Sequence, residues 1–104
     1  MSLNIHSNYN QKDECWEVEL VGEIDIHSKS QLKEVLLELD GKKSCDFLFH
    51  CESLDYIDST GLGVLISFYK NVKEHEHQIA FTALKPSILK VFSLTGLDKI
   101  FSIR

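Results

Sequence analysis

The sequence predicts an α/β fold, a four- to five-stranded mixed sheet with three to four helices, and three observations carry that prediction. Segments with period-two alternation or short apolar runs interleave with segments of helical period. Their order is strand, strand, helix, strand, helix, strand, helix, which implies an opening hairpin followed by parallel crossovers. The chain has 104 residues, 43% of them hydrophobic, so one domain spanning residues 1–104 can close one small core.

Leu3 to Tyr9 alternates weakly and is expected to be the first strand; nothing is placed on Met1 to Leu3 beyond that. Asn10 to Glu14 is polar and suits a hairpin turn. Cys15 to Val21 alternates clearly, with Trp16, Val18 and Leu20 on one face and Glu17 and Glu19 on the other. Ser28 to Leu39 reads as a helix, because Leu32, Val35, Leu36 and Leu39 fall on one stripe. Ser28 with Gln31 has the spacing of a capping box, and Gly41 suits the C-terminal stop. Asp46 to Cys51 holds the run Phe47-Leu48-Phe49, expected to be an interior strand covered on both faces. Leu62, Leu65, Ile66, Tyr69 and Val72 form the stripe of a second helix ending near His75. Gln78 to Ala83 is a further strand. Pro86 opens a third helix with Ile88, Val91 and Phe92 inward and Gly96 at its end. Ile100 to Ile103 is too short to assign.

The net charge of -5 argues against nucleic-acid backbones and anionic membranes as partners. Cys15, Cys45 and Cys51 are an odd set without a Cys-x-x-Cys, which fits a reducing cytoplasm better than a disulfide framework. No apolar stretch approaches the ~18 residues of a membrane span, and the N-terminus does not read as a signal peptide. His75 and His77 end a polar segment read as a solvated turn, so neither a metal nor another cofactor is expected. Cys51 reads as a small core residue, and Lys85 either as a charge balance at one end of the sheet or, more commonly for a lone lysine, as simply exposed.

Parallel crossovers collect the strand-to-helix junctions at one pole of the sheet, where ligands and partners of α/β proteins usually bind. Three junctions are expected there: Asp25–Ser28, Asp58–Gly61 and Lys85–Ser87. The most informative is Asp58-Ser59-Thr60-Gly61-Leu62-Gly63, which puts three short polar residues at a helix start. The free N–H groups of such a start favour negative charge, so a hydroxyl there can cap the helix or carry a phosphate. One cap needs one side chain. If Asp58 or Thr60 supplies it, Ser59 is left to project. Gly61 and Gly63 are poor helix formers and are expected to leave backbone exposed for a partner's close approach. Val64 and Phe68 lie off the inward stripe and form, with Thr60, a ridge leading away from Ser59. That ridge is either packing under a loop or an apolar patch for a partner.

Leu54-Asp55-Tyr56-Ile57-Asp58-Ser59-Thr60-Gly61-Leu62-Gly63-Val64-Leu65 resembles the phosphoacceptor segment of STAS-domain anti-sigma factor antagonists. Gly22-Glu23-Ile24-Asp25 is similar to that family's first strand-to-helix loop, and Val91 to Phe101 to its C-terminal signature. The three segments stand in family order across almost the whole chain. The resemblance implies a non-enzymatic partner switch. The unphosphorylated protein binds an anti-sigma factor that is also a GHKL-type serine kinase, and so releases the sigma factor. Phosphorylation at the position of Ser59 ends the complex, and a serine phosphatase resets it. Asp25 would sit beside Ser59 and help hold the kinase or its nucleotide. His50 stands where many members carry an acidic or amide residue.

The alternatives are weaker. A regulatory subunit of a transporter, lipid-transport or stress-sensing complex stays within the family. A nucleotide-binding module would use the same helix N-termini, but the chain has no Gly-x-x-x-x-Gly-Lys-Ser/Thr. A serine hydrolase would need a Gly-x-Ser-x-Gly elbow, also absent, although His27 could lie near the same pole.

Overall fold

The structure, a computed structural model, describes residues 2–104. Strand β1 (Leu3–Asn10) and strand β2 (Cys15–Ile24) form the expected hairpin, in register from Leu3 opposite Gly22 to Asn10 opposite Cys15. The Asn10 side chain holds the turn by accepting from Asp13 N at 3.0 Å and donating to Glu17 at 2.7 Å. Leu3, on which the sequence placed little, is a buried core residue.

The lower half of β2 pairs in parallel with β3 (Asp46–His50), and its last residues pair in parallel with β4 (Leu54–Ile57). Gly22 makes this divergence possible. Its φ is +111°, and a Cβ there would lie 2.1 Å from the Ser2 carbonyl oxygen, so no other residue fits without moving the chain. Strand β5 (Ile79–Thr82) continues the parallel sheet beyond β3, and β6 (Ser102–Ile103) continues it beyond β5. The order is β1–β2–β3–β5–β6, with β4 beside the end of β2. Among the described residues there are thus six strands rather than four to five. The two extra ones are four and two residues long, too short for a periodicity to register.

Helices α1 (Lys29–Lys42), α2 (Ser59–Lys73) and α3 (Pro86–Leu94) follow β2, β4 and β5, and a 3-10 turn covers Leu97–Lys99. Two end signals misled. Ser28 and Gln31 form no capping box: Ser28 Oγ donates to Glu23 O at 2.9 Å, and Gln31 Nε2 donates to Leu3 O at 2.8 Å. Both side chains are spent joining α1 to the sheet. Gly41 does not stop α1, which runs on to Lys42 and ends where Lys43 turns extended. Pro86 and Gly96 act as expected, at the first turn of α3 and just past its end with φ +76°.

All three helices share one face of the sheet. Phe68 of α2 packs edge-on against Phe47 at 4.8 Å, and Phe92 of α3 packs edge-on against Phe81 at 5.1 Å. Phe81 also meets Phe49 and Phe101, each at 5.0 Å, and so joins β3, β5, α3 and the C-terminal segment in one aromatic cluster. The opposite face carries Glu17, Glu19, Leu48 and His50 and is largely open. Strand β3 is therefore not covered on both faces. Its apolar run looks continuous because Leu48, only half-buried, occupies the open side.

Candidate functional site

Parallel order brings the C-terminal ends of β2, β4 and β5 to one pole, and α1, α2 and α3 all start there. The hinge of the site is a single backbone contact: Asp58 N donates to Ile24 O at 3.2 Å, tying the start of α2 to the end of β2. The loop carrying Asp25 and the first turn of α2 are thereby neighbours.

The roles within Asp58-Ser59-Thr60-Gly61 separate cleanly. Asp58 is the N-cap of α2, and its carboxylate accepts from Gly61 N at 3.0 Å and from Thr60 Oγ1 at 2.6 Å. The Thr60 hydroxyl, and after it the Gly61 N–H, hold the Asp58 carboxyl below its usual range. Thr60 thus buttresses the cap. Ser59 is the first residue of α2 and is exposed, and among the described residues no side-chain hydrogen bond engages its hydroxyl. Among the described residues no histidine is hydrogen-bonded to it.

Gly61 does not leave backbone open for a partner, as its residue type suggested. It is buried, and a Cβ there would meet Ile24 Cγ2 at 2.6 Å, Ile57 Cγ1 at 2.8 Å and Ile24 O at 3.0 Å. Its smallness lets α2 settle on β2. Gly63 matches the expectation better: it is exposed, with nothing within 4 Å of the position a Cβ would take.

Asp25 is half-buried and structurally committed. Its carboxylate accepts from His27 N at 2.9 Å and Ser28 N at 3.1 Å, so it caps the turn that opens α1. Ser28, almost wholly buried, accepts from Asp25 N at 3.0 Å and locks that loop. Lys85 is not alone: its ammonium pairs with Asp55. Asp55 is skipped in the register between β2 and β4, which turns it out toward α3. The loops and strand end at the pole therefore carry Asp25, Asp55 and Asp58 against Lys85, with Lys29 opening α1 beside them.

Two pole residues escaped the sequence reading. Ile26 is 59% exposed in the Asp25 loop, and Tyr56 is 47% exposed on β4. The available signal for Ile26 was an isoleucine in a junction loop outside any apolar stripe. The Val64–Phe68 ridge needs correction. Phe68 is 5% exposed and belongs to the core through its contact with Phe47, whereas Val64 is half-buried. Thr60, Val64 and the outer edge of Phe68 instead line a groove between α1 and α2.

The remaining candidates lie elsewhere. His50 is the last residue of β3, on the open sheet face, with Nε2 2.7 Å from Glu17 Oε1. That contact, followed by the Asn10 amide, holds the Glu17 carboxyl low. Cys51 is buried, and burial pushes its thiol up to about 12. All three cysteines are free and buried. His77 faces Asp46 at 3.5 Å, beside the turn expected there. Among the described residues, no helix is long and apolar enough to cross a membrane.

Comparison with known proteins fits this geometry. The family model of the STAS domain matches residues 6–104. The anti-sigma-B factor antagonist of Bacillus subtilis (strain 168) is 32% identical over 101 residues, covering 97% of this chain and 92% of that protein. The anti-sigma-B factor antagonist of Staphylococcus aureus (strain NCTC 8325 / PS 47) is 28% identical over 103 residues, covering 99% and 94%. The unphosphorylated anti-sigma factor antagonist SpoIIAA superposes with a TM-score of 0.75 at 17% identity, over 97% of this chain and 87% of its own. The phosphorylated SpoIIAA of Bacillus gives 0.72 at 18% identity, over 99% and 91%.

Proposed function

Since this chain belongs to the STAS domain family, we propose that it is an anti-sigma factor antagonist whose binding is switched off by phosphorylation of Ser59. Unphosphorylated, it binds an anti-sigma factor that is also a GHKL-type serine kinase, and a sigma factor is released. The kinase phosphorylates Ser59, the complex separates, and a serine phosphatase restores the binding form. The chain is substrate and partner in this cycle, not catalyst.

One observation carries the reading. Ser59 at the head of α2 is exposed, and among the described residues no side-chain hydrogen bond engages its hydroxyl, while Asp58 and Thr60 on either side are hydrogen-bonded to each other. The relatives that are anti-sigma-B factor antagonists, matched over 92% and 94% of their length, support the partner class. Ile26 and Tyr56 add apolar surface around the pole, of the kind that anchors a protein partner.

The direction of the switch follows from electrostatics. Phosphate adds roughly -1.5 to -2 charges. At a helix N-terminus that charge is tolerated or mildly favourable, so the fold persists. At the pole it joins Asp25, Asp55 and Asp58 and repels acidic groups on the partner. The test is incubation of the full chain with the serine kinase of its own genome and ATP, then mass mapping. A phosphate on Ser59 that disappears in Ser59→Ala is the expected result; a phosphate placed elsewhere overturns the assignment.

A further inference from the structure

We infer that the groove between α1 and α2 is the docking track for an acidic, apolar-centred segment of the protein partner. This inference rests on the proposed antagonist function and names the second half of its interface. The two helices lie side by side and both start at the pole, so the groove runs straight away from the Ser59 end. Its volume is about 610 Å³.

The groove has a chemical gradient. At the pole end, Lys29 and Lys33 stand one turn apart on α1, across from Thr60 on α2. In the middle, Leu37, 47% exposed, faces Val64 and the edge of Phe68. At the far end the groove reaches Asn71, whose Nδ2 donates to Asp40 Oδ2 at 3.0 Å. A cationic mouth and an apolar middle match a segment with a carboxylate first and apolar side chains next. The two lysines on one rim are notable in a chain of net charge -5. Helix-in-groove recognition uses this pattern of anchors.

Continuity with Ser59 supplies the second argument. Gly63 lies one turn beyond Ser59 on α2, lines the groove, and leaves empty space where a side chain would stand. A partner carboxylate drawn to Lys29 and Lys33 would therefore come to rest near Ser59. Phosphate on Ser59 would oppose that carboxylate directly, which gives the switch a defined target on the partner.

The experiment measures affinity of the full unphosphorylated chain for the purified anti-sigma factor of its own genome. Native chain, Lys33→Glu, Leu37→Asp and a control, Lys12→Glu in the exposed hairpin turn, are compared, with thermal melts confirming that each folds. Expected are losses of about tenfold or more for Lys33→Glu and Leu37→Asp, and a change under about twofold for Lys12→Glu. Native-like binding by both groove variants overturns the inference and leaves the Ser59 reading standing. An equal loss in Lys12→Glu also overturns it, since net charge rather than the groove would then be responsible. Concentration-dependent self-association that Lys33→Glu abolishes would assign the groove to a second copy and overturn it as well. Failure of the native chain to bind removes both readings.

Discussion

Ser59 and Asp58 are adjacent, yet their substitutions should separate function from stability. Ser59 contributes no side-chain bond to the fold among the described residues, so Ser59→Ala should melt with the native chain. Ser59→Asp should melt at or slightly above it, because a negative charge at the first helical position is favoured. Thermal unfolding followed by circular dichroism checks both, and a large drop for Ser59→Asp would contradict the assignment of the phosphate to the interface. Asp58 is different. Its carboxyl is held low by the Thr60 hydroxyl and the Gly61 N–H. A carboxylate with a depressed folded-state pKa stabilises above the unfolded value of about 3.9, and that contribution is lost as pH falls through the folded value. Asp58→Asn keeps an acceptor but loses the titration, so its melting temperature should fall less between about pH 5 and about pH 3 than that of the native chain. Parallel melting curves across that window would show that the cap does not titrate as described. From sequence, the three candidates Asp58, Ser59 and Thr60 could be narrowed only to a cap by Asp58 or Thr60 and a projecting Ser59. The division of labour needed the geometry in which Thr60 donates back to Asp58.

At the scale of an element, the first two turns of α2 hold two glycines with opposite duties. Gly61 faces inward, where a Cβ would collide with Ile24 and Ile57, including a backbone oxygen that cannot yield cheaply. Gly61→Ala should therefore cost about 1–3 kcal/mol by overpacking. Gly63 faces outward with open space around it, and its φ is not in the left-handed region. Gly63→Ala should stabilise by about 0.5–1 kcal/mol through helix propensity. Denaturant midpoints of the two variants, moving in opposite directions, would establish the difference. Sequence alone placed both glycines in one role, because composition marks a poor helix former without telling which side of the helix it occupies. The same limit explains Phe68. Its angular position borders the inward stripe, and only the spacing between α2 and β3 settles that its ring meets Phe47. At the head of α1, Ser28 and Gln31 had capping-box spacing, but stronger partners across the sheet took both side chains.

The molecule as a whole follows from strands that alternate with helices, and that order was readable because long apolar periodicities survive in a single sequence. What was not readable is whatever depends on distance between elements. Strands β4 and β6 are defined by their neighbours rather than by their own few residues. The open face of the sheet appears only once all three helices are seen on the other side. The α1–α2 groove depends on how far apart two helices settle. The core, by contrast, makes a whole-chain prediction. Phe81 touches Phe49, Phe92 and Phe101 and links the central strands to α3 and the C-terminus. Phe81→Ala should cost about 3–5 kcal/mol, a large part of the ~5–15 kcal/mol that a domain of this kind possesses. Loss of near-native unfolding cooperativity in that variant, read from the denaturant slope, would mark the cluster as the point where the two parts of the fold are joined.

The central claim is that phosphate on Ser59 governs who binds while leaving the fold in place. Calorimetric titration of the cognate anti-sigma factor with native and Ser59-phosphorylated chain, each melted under the same conditions, tests it most directly. The account predicts an affinity loss of about a hundredfold or more on phosphorylation, the scale of a strong like-charge juxtaposition at an interface, with the melting temperature nearly unchanged. Equal affinities for the two forms, or a loss of binding accompanied by unfolding, would contradict it.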